Sequence, residues 1–159
     1  MVKKTTIRKV RLCAYPVHWL ADSDTFDDNT EIVWSTGETT KPGDIQVFAV
    51  SKTMDDAPEA FADDPRRDAV HSIWEAQSEP LEEYEQYEWS VQAEFKLLVR
   101  LEIPVPKGDL VEAGIILEYW PENYRGKFLH THQEIQKLAE VLAKKNAKQR
   151  KEIFSALGL

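Results

Sequence analysis

Glu31–Lys52, EIVWSTGETTKPGDIQVFAVSK, is the stretch around which the chain reads. Glu31-Ile32-Val33-Trp34 is a short apolar run ending on an indole, and Ser35–Lys41 is a polar loop. Pro42-Gly43-Asp44 has the composition of a turn: Pro fixes φ, Gly permits positive φ, and Asp hydrogen-bonds its own backbone. The turn feeds Ile45–Val50, IQVFAV, a β-rich run that predicts a buried strand. Trp34 is thereby placed at the mouth of a loop, where an indole can form the wall of a binding pocket.

On the N-terminal side, Lys3–Ala14 reads as a first strand with Ile7, Val10 and Leu12 apolar, ended by Tyr15–Leu20, where Pro16 disfavours helix at Tyr15. Ala21–Thr30 is acidic and polar and reads as a surface loop. On the C-terminal side, Thr53–Arg67 is polar, with a short helix expected over Asp55–Phe61 and a turn at Asp63-Asp64-Pro65. Ala69–Gln77 is a further strand, with Val70, Ser72, Trp74 and Ala76 on one face and Ala69, His71, Ile73 and Glu75 on the other. Ser78–Glu88 is an acidic connector. Ser90–Pro104 carries the longest signal: Val91, Ala93, Phe95, Leu97, Val99, Leu101 and Ile103 alternate with mostly polar residues, the period of a half-buried antiparallel strand. Val105–Ala113 reads as a loop, Ile115–Trp120 as a short strand and Pro121–Lys127 as a turn.

Thr131 with Glu134 three residues on forms a capping box, and the helix it starts places Ile135, Leu138, Ala139 and Leu142 on one face. Lys148–Leu157 continues that helix or forms a second one, and Gly158 ends it. About five strands, short excursions and a terminal helix predict an α+β fold, a small mixed or antiparallel barrel of OB-like or PUA-like type.

With 159 residues, 42% hydrophobic and 30% charged, the sequence fits one soluble domain over 1–159. No apolar run approaches 18 residues and the N-terminus lacks an apolar leader, so neither a membrane span nor a signal peptide is expected. Cys13 is the single cysteine, so no internal disulfide is possible and a cytoplasmic location is the default expectation. The net charge of -8 argues mildly against nucleic acid, but half of the 20 basic residues sit at the termini. Lys3, Lys4, Arg8, Lys9 and Arg11 lie at one end, and Lys144, Lys145, Lys148, Arg150 and Lys151 at the other. Ends that meet in space would make a basic face on an acidic body; ends that do not are solvated tails.

Five Trp and five Tyr are the chemical signal. Tyr84, Tyr87 and Trp89 crowd one loop, and loop aromatics opposite Trp34 can sandwich a planar ligand; stacking a nucleobase is worth about 1–3 kcal/mol per base. The competing reading is that the indoles fill the core, which suits Trp74 in mid-strand. Ser35 and Thr36, beside the indole, are candidates to hydrogen-bond a base edge, and Tyr15, at the end of the first strand, is grouped with them. His130-x-His132 has the spacing of a strand rather than of a helix start and lacks supporting ligands, so no metal is expected. No phosphate-loop, dinucleotide, nucleophile-elbow or deaminase motif occurs. Enzyme activity therefore has no anchor, and no cofactor is expected.

WSTGETTKPGDIQVFAVSK resembles the segment of EVE domains in which a Trp-bearing loop leads through a "pGD" turn to an apolar strand. AVHSIWEAQSEP, EFKLLVRLEIPVP and WPENYRGKFLHTHQEIQKL resemble the strands, closing turn and helix that follow, so the likeness spans about residues 7 to 143. EVE domains belong to the PUA-like superfamily beside YTH and ASCH domains, and Val33-Trp34-Ser35-Thr36 is similar to the YTH "vWsT" signature. The resemblance implies a non-catalytic reader of a modified base in DNA or RNA. Trp34 and Trp89 would be the cage walls and Arg125 the phosphate contact. The sequence departs from the pattern in its glycine-poor third strand, its acidic insert at Leu81–Glu88 and its lack of an ASCH-type signature. The alternative is a regulatory module of the same barrel that binds a protein or a small ligand, which the acidic middle of the chain favours.

Overall fold

The computed structural model describes residues 8–16, 29–51, 65–81, 91–120 and 126–159. Among these residues six strands form one mixed sheet: β1 Val10–Pro16, β2 Glu31–Thr36, β3 Ile45–Ser51, β4 Ala69–Ala76, β5 Val91–Pro106 and β6 Lys127–Leu129. Their order is β2-β5-β4-β3-β1-β6, and the sheet curls into a half-barrel. β1 and β3 run parallel, with Val10 opposite Ile45 and Tyr15 opposite Val50; the other pairings are antiparallel. The helices among the described residues are α1 Lys107–Glu112, α2 His132–Lys145 and α3 Arg150–Ala156, with a 3-10 turn at Ala147–Gln149 between the last two.

Alternation along β1 and β3 sorts side chains onto two faces. Val10, Leu12, Ala14, Ile45, Val47 and Ala49 join Leu138, Leu142 and Ile153 of the helices in one apolar core. Cys13, Tyr15, Phe48 and Val50 project to the other face, where Ile32, Trp74, Ala76, Ala93 and Phe95 complete a second, aromatic core. Trp74 is fully buried there, as its mid-strand position predicts.

The simple period-two reading of the two longest strands is corrected by bulges. On β3 and β4, Phe48 pairs with Ser72 but Ala49 with Val70, so His71 is an extra residue. The extra residue moves the alternation by one position. Val70 and Ile73 both face the helices while Trp74 and Ala76 face the aromatic core, instead of Val70 sharing a face with Trp74. On β5, Leu97 pairs with Trp74 and Val99 with Ile73, leaving Leu98 unpaired in that register. Ala93 and Phe95 therefore enter the aromatic core, Val99, Leu101 and Val105 enter the helical one, and Ile103 is 52% exposed.

Three further expectations change. Val105–Ala113 is not a loop: β5 runs to Pro106 and α1 follows, its Leu110 fully buried. Gly114, at φ 74°, closes α1, with Ile115 N–H donating to Leu110 and Gly114 N–H to Val111, a Schellman ending that satisfies the last carbonyls. Ile115–Trp120 is irregular rather than a strand; Ile115 and Ile116 are consecutive and both buried, which a half-buried strand does not allow. β6, only three residues long, was too short to register as a period and lies antiparallel on β1.

Thr131 caps α2 as expected: its hydroxyl accepts from Glu134 N–H at 3.1 Å and donates to the Glu134 carboxylate at 3.2 Å. Lys148–Leu157 contains the separate helix α3, and Gly158, at φ 79°, ends it in a second Schellman pattern with Leu159 N–H on Phe154 and Gly158 N–H on Ser155. The elbow between α2 and α3 pins β5. Asn146 Oδ1 accepts from Ile103 N–H at 2.8 Å, and its Nδ2 donates to the Ile103 carbonyl at 2.9 Å and the Leu142 carbonyl at 3.0 Å. Gln149 accepts from Glu102 N–H at 2.9 Å and donates to the Arg100 carbonyl at 2.8 Å. These amides satisfy β5 backbone groups where the β4 register jumps between Arg100 and Val105. The helix expected over Asp55–Phe61, the first two residues of the Asp63-Asp64-Pro65 turn and most of the acidic connector and closing turn lie outside the described residues.

Candidate functional site

β2 sits at one border of the sheet, paired with β5 from Glu31 opposite Lys96 to Thr36 opposite Val91. Alternation aims Ile32 and Trp34 at the aromatic core. Trp34 is half-buried, unlike Tyr15, Phe48, Trp74 and Phe95 behind it. Its ring centroid lies 5.6 Å from Tyr15 at 64° between planes and 6.1 Å from Phe48 at 79°. Phe48 is the hub of the cluster, also meeting Tyr15, Trp74 and Phe95 at 6.2–6.3 Å in steep, edge-type contacts. Such geometry is favoured by the ring quadrupoles. It leaves neither Tyr15 nor Phe48 parallel to the Trp34 indole.

The two residues after Trp34 are buried and engaged within the protein. Thr36 Oγ1 lies 3.1 Å from Gln46 Oε1, which can only accept, so the Thr36 hydroxyl donates there. The 2.6 Å contact between the Thr36 and Thr40 hydroxyls is then donated by Thr40. Gln46 Nε2 donates to the Ser35 carbonyl at 3.1 Å. Gln46 stands on β3, so its side chain ties the end of β2 to a strand that β2 does not neighbour in the sheet. Beside it is a cleft of about 10 Å³ lined in part by Lys9, Arg11, Thr36, Thr40 and Gln46, room for about one water.

Arg11 is buried, its Nε donating to Cys13 Sγ at 3.2 Å and its guanidinium 5.8 Å from the Phe128 ring centroid. Gly37 and Gly126 both pass so close to this guanidinium that a Cβ would stand 2.7 Å and 2.9 Å from its nitrogens. One side chain thus bridges the loop after β2 and the entry to β6. Burial pushes the Cys13 thiol up, outweighing the opposite pull of the Arg11 charge and hydrogen bond.

Sequence reasoning did not find the polar chain behind Trp34. Tyr15 Oη lies 2.7 Å from His71 Nε2, His71 Nδ1 lies 2.9 Å from Ser72 Oγ, and Trp74 Nε1 donates to Ser72 Oγ at 2.7 Å. All four residues are buried. Neighbouring strand residues normally point to opposite faces; the bulge at His71 brings its ring to the Ser72 hydroxyl. The available signal was two adjacent polar residues inside an apolar strand.

Among the sequence candidates, Trp34 and Tyr15 are in contact, and Ser35 and Thr36 form the Gln46 link; Trp89 and Arg125 lie outside the described residues. His130 and His132 are exposed, and among the described residues no group of three or more His, Cys, Asp and Glu is disposed to hold a metal ion. The basic ends are partly neutralised: Arg8 pairs with Glu75 at 3.1 Å, Lys145 with Asp109 at 3.2 Å and Arg150 with Glu140 at 2.7 Å, while Lys144, Lys148 and Lys151 are exposed. No helix among the described residues is long and apolar enough to cross a membrane. No family model matches the chain, and no curated protein or solved structure matches it either.

Proposed function

We propose that the chain is a PUA-like module of the EVE type that reads a modified nucleobase in DNA or RNA against Trp34, without catalysis. The observation that carries this reading is the contrast within the aromatic cluster: Trp34 is half-buried, whereas the rings that hold it are buried. A ligand-stacking indole needs that combination of an accessible face and a rigid backing. The mixed half-barrel, with one parallel pair and a C-terminal helix pair, is compatible with a PUA-like architecture. Ser35 and Thr36 contribute by fixing the end of β2 through Gln46. Trp89 is the second wall on the strength of the resemblance; it precedes Val91, the residue opposite Thr36, by two positions. Arg125, adjoining Gly126 at the entry to β6, is the phosphate contact on the same ground.

Trp34→Ala tests the assignment. The variant keeps its circular dichroism and a cooperative melt but loses preferential binding of a modified oligonucleotide in a gel-shift assay. An unfolded variant would make the indole a core residue and remove it from the pocket. A protein-binding role is the second reading, favoured by Leu117 and Tyr119, which are 87% and 77% exposed on one segment.

A further inference from the structure

We infer that Tyr15 and His71 are positioning residues for Trp34, and that the bulge in β4 exists to build the hydrogen-bonded chain that holds them. The inference rests on the reading of Trp34 as a ligand wall. A barrel interior of Phe48, Trp74, Ala93 and Phe95 gains nothing in burial energy from adding an imidazole and two hydroxyls. Buried polar groups cost free energy unless each finds a partner, and a fully satisfied network instead fixes one arrangement of side chains. Here the partners are present at 2.7, 2.9 and 2.7 Å from Tyr15 through His71 and Ser72 to Trp74.

Direction follows from the donors. The Trp74 indole N–H only donates, so Ser72 Oγ accepts from it. A neutral imidazole has one donor and one acceptor nitrogen. If Ser72 donates to Nδ1, Nε2–H donates to Tyr15 Oη; if Nδ1–H donates to Ser72, the Tyr15 hydroxyl donates to Nε2. Either way the serine and tyrosine contacts are coupled through one ring. The Tyr15 ring is tied at its hydroxyl end and meets Trp34 at 5.6 Å and 64°. Rotation of the Tyr15 ring out of this position removes a backing of the half-buried indole. The chain therefore sets the orientation of the wall against which a planar base would stack.

The test uses full-length protein labelled with 5-fluorotryptophan, with the Trp34 resonance assigned by Trp34→Phe. Tyr15→Phe keeps the aromatic ring and deletes only the hydroxyl; Ser72→Ala cuts the chain two hydrogen bonds away from Tyr15's ring. Both variants are expected to shift or broaden the Trp34 fluorine resonance in the free protein, and to weaken binding of the preferred modified oligonucleotide about fivefold, the worth of one neutral hydrogen bond. Packing alone predicts no change for Tyr15→Phe, since the ring remains. An unmoved Trp34 resonance in both variants overturns the inference, and if one variant does not fold the other decides. A moved resonance in a protein that binds no modified oligonucleotide supports the positioning role and removes the reader function. Tight wild-type binding that both variants retain in full overturns the positioning role and leaves the reader function standing.

Discussion

Asn146→Ala should be among the most damaging substitutions outside the cores. Asn146 is 4% exposed, and its side chain makes three contacts with main-chain groups: Ile103 N–H, the Ile103 carbonyl and the Leu142 carbonyl. Deleting it leaves one donor and two acceptors to find other partners. A buried group left unsatisfied costs about 1–3 kcal/mol. Ile103 is half-exposed, so water recovers part of its loss, whereas the Leu142 contact is buried. The sum is about 3 kcal/mol. For a chain of this size that lowers Tm by about 6–12 °C. Urea denaturation of wild type and variant, read by circular dichroism with a common slope, measures the difference. Asn146→Asp sharpens the test: it keeps an acceptor for Ile103 N–H but faces two carbonyls with no donor, so it should be no more stable than the alanine variant. A change below about 0.5 kcal/mol for Asn146→Ala, the range of an ordinary surface substitution, would refute the claim that the elbow fastens β5 to the helices.

Two further outcomes follow from the site's surroundings. Gly126→Ala should cost about 3 kcal/mol, because φ is 62° and the new Cβ would lie 2.7 Å from Cys13 Sγ and 2.8 Å from the Leu12 carbonyl; Gly114→Ala, at φ 74° with open space, should cost only about 1 kcal/mol, and equal melting shifts would contradict the close-approach argument. Cys13 should resist thiol reagents until the chain unfolds, and its raised pKa means that the unfolded state loses the proton first, so its contribution to stability is full below the unfolded value near 9.0 and declines as pH rises through it; a fast-reacting native thiol would contradict its burial.

The strands around Trp34 were legible because they obey simple rules. IQVFAV is apolar on both faces, Gln46 apart, since β3 lies between β1 and β4, with a core on each side of the sheet. The capping box at Thr131 and the stop at Gly158 were legible because each is a local hydrogen-bonding device. The bulges were not legible. Leu97, Leu98 and Val99 are all apolar, so hydrophobicity does not mark which one is extra. His71 reads as one more residue of an alternating strand face because nothing local says that it leaves the ladder. The helix Lys107–Glu112 was hidden by Gly108 within it and Pro106 before it, residues that more often mark a loop; here Pro106 occupies the N-cap and Gly108 the first turn. Trp34 lies within β2 and is half-buried, whereas Trp74 is fully buried, a difference in burial that the strand-edge position of Trp34 made legible. The Gln46 link was missed because it joins residues of strands that are not neighbours, a contact visible only once the sheet curls.

The central claim is tested most directly by titrating the intact protein with short oligonucleotides, DNA and RNA, that differ only in one methylated or otherwise modified cytosine or adenine, while following tryptophan fluorescence. The account predicts quenching and saturable binding for one modified base, at least tenfold tighter than for its plain parent, with an affinity that falls as salt rises. Equal binding of modified and plain strands, or no fluorescence response to any of them, would contradict it.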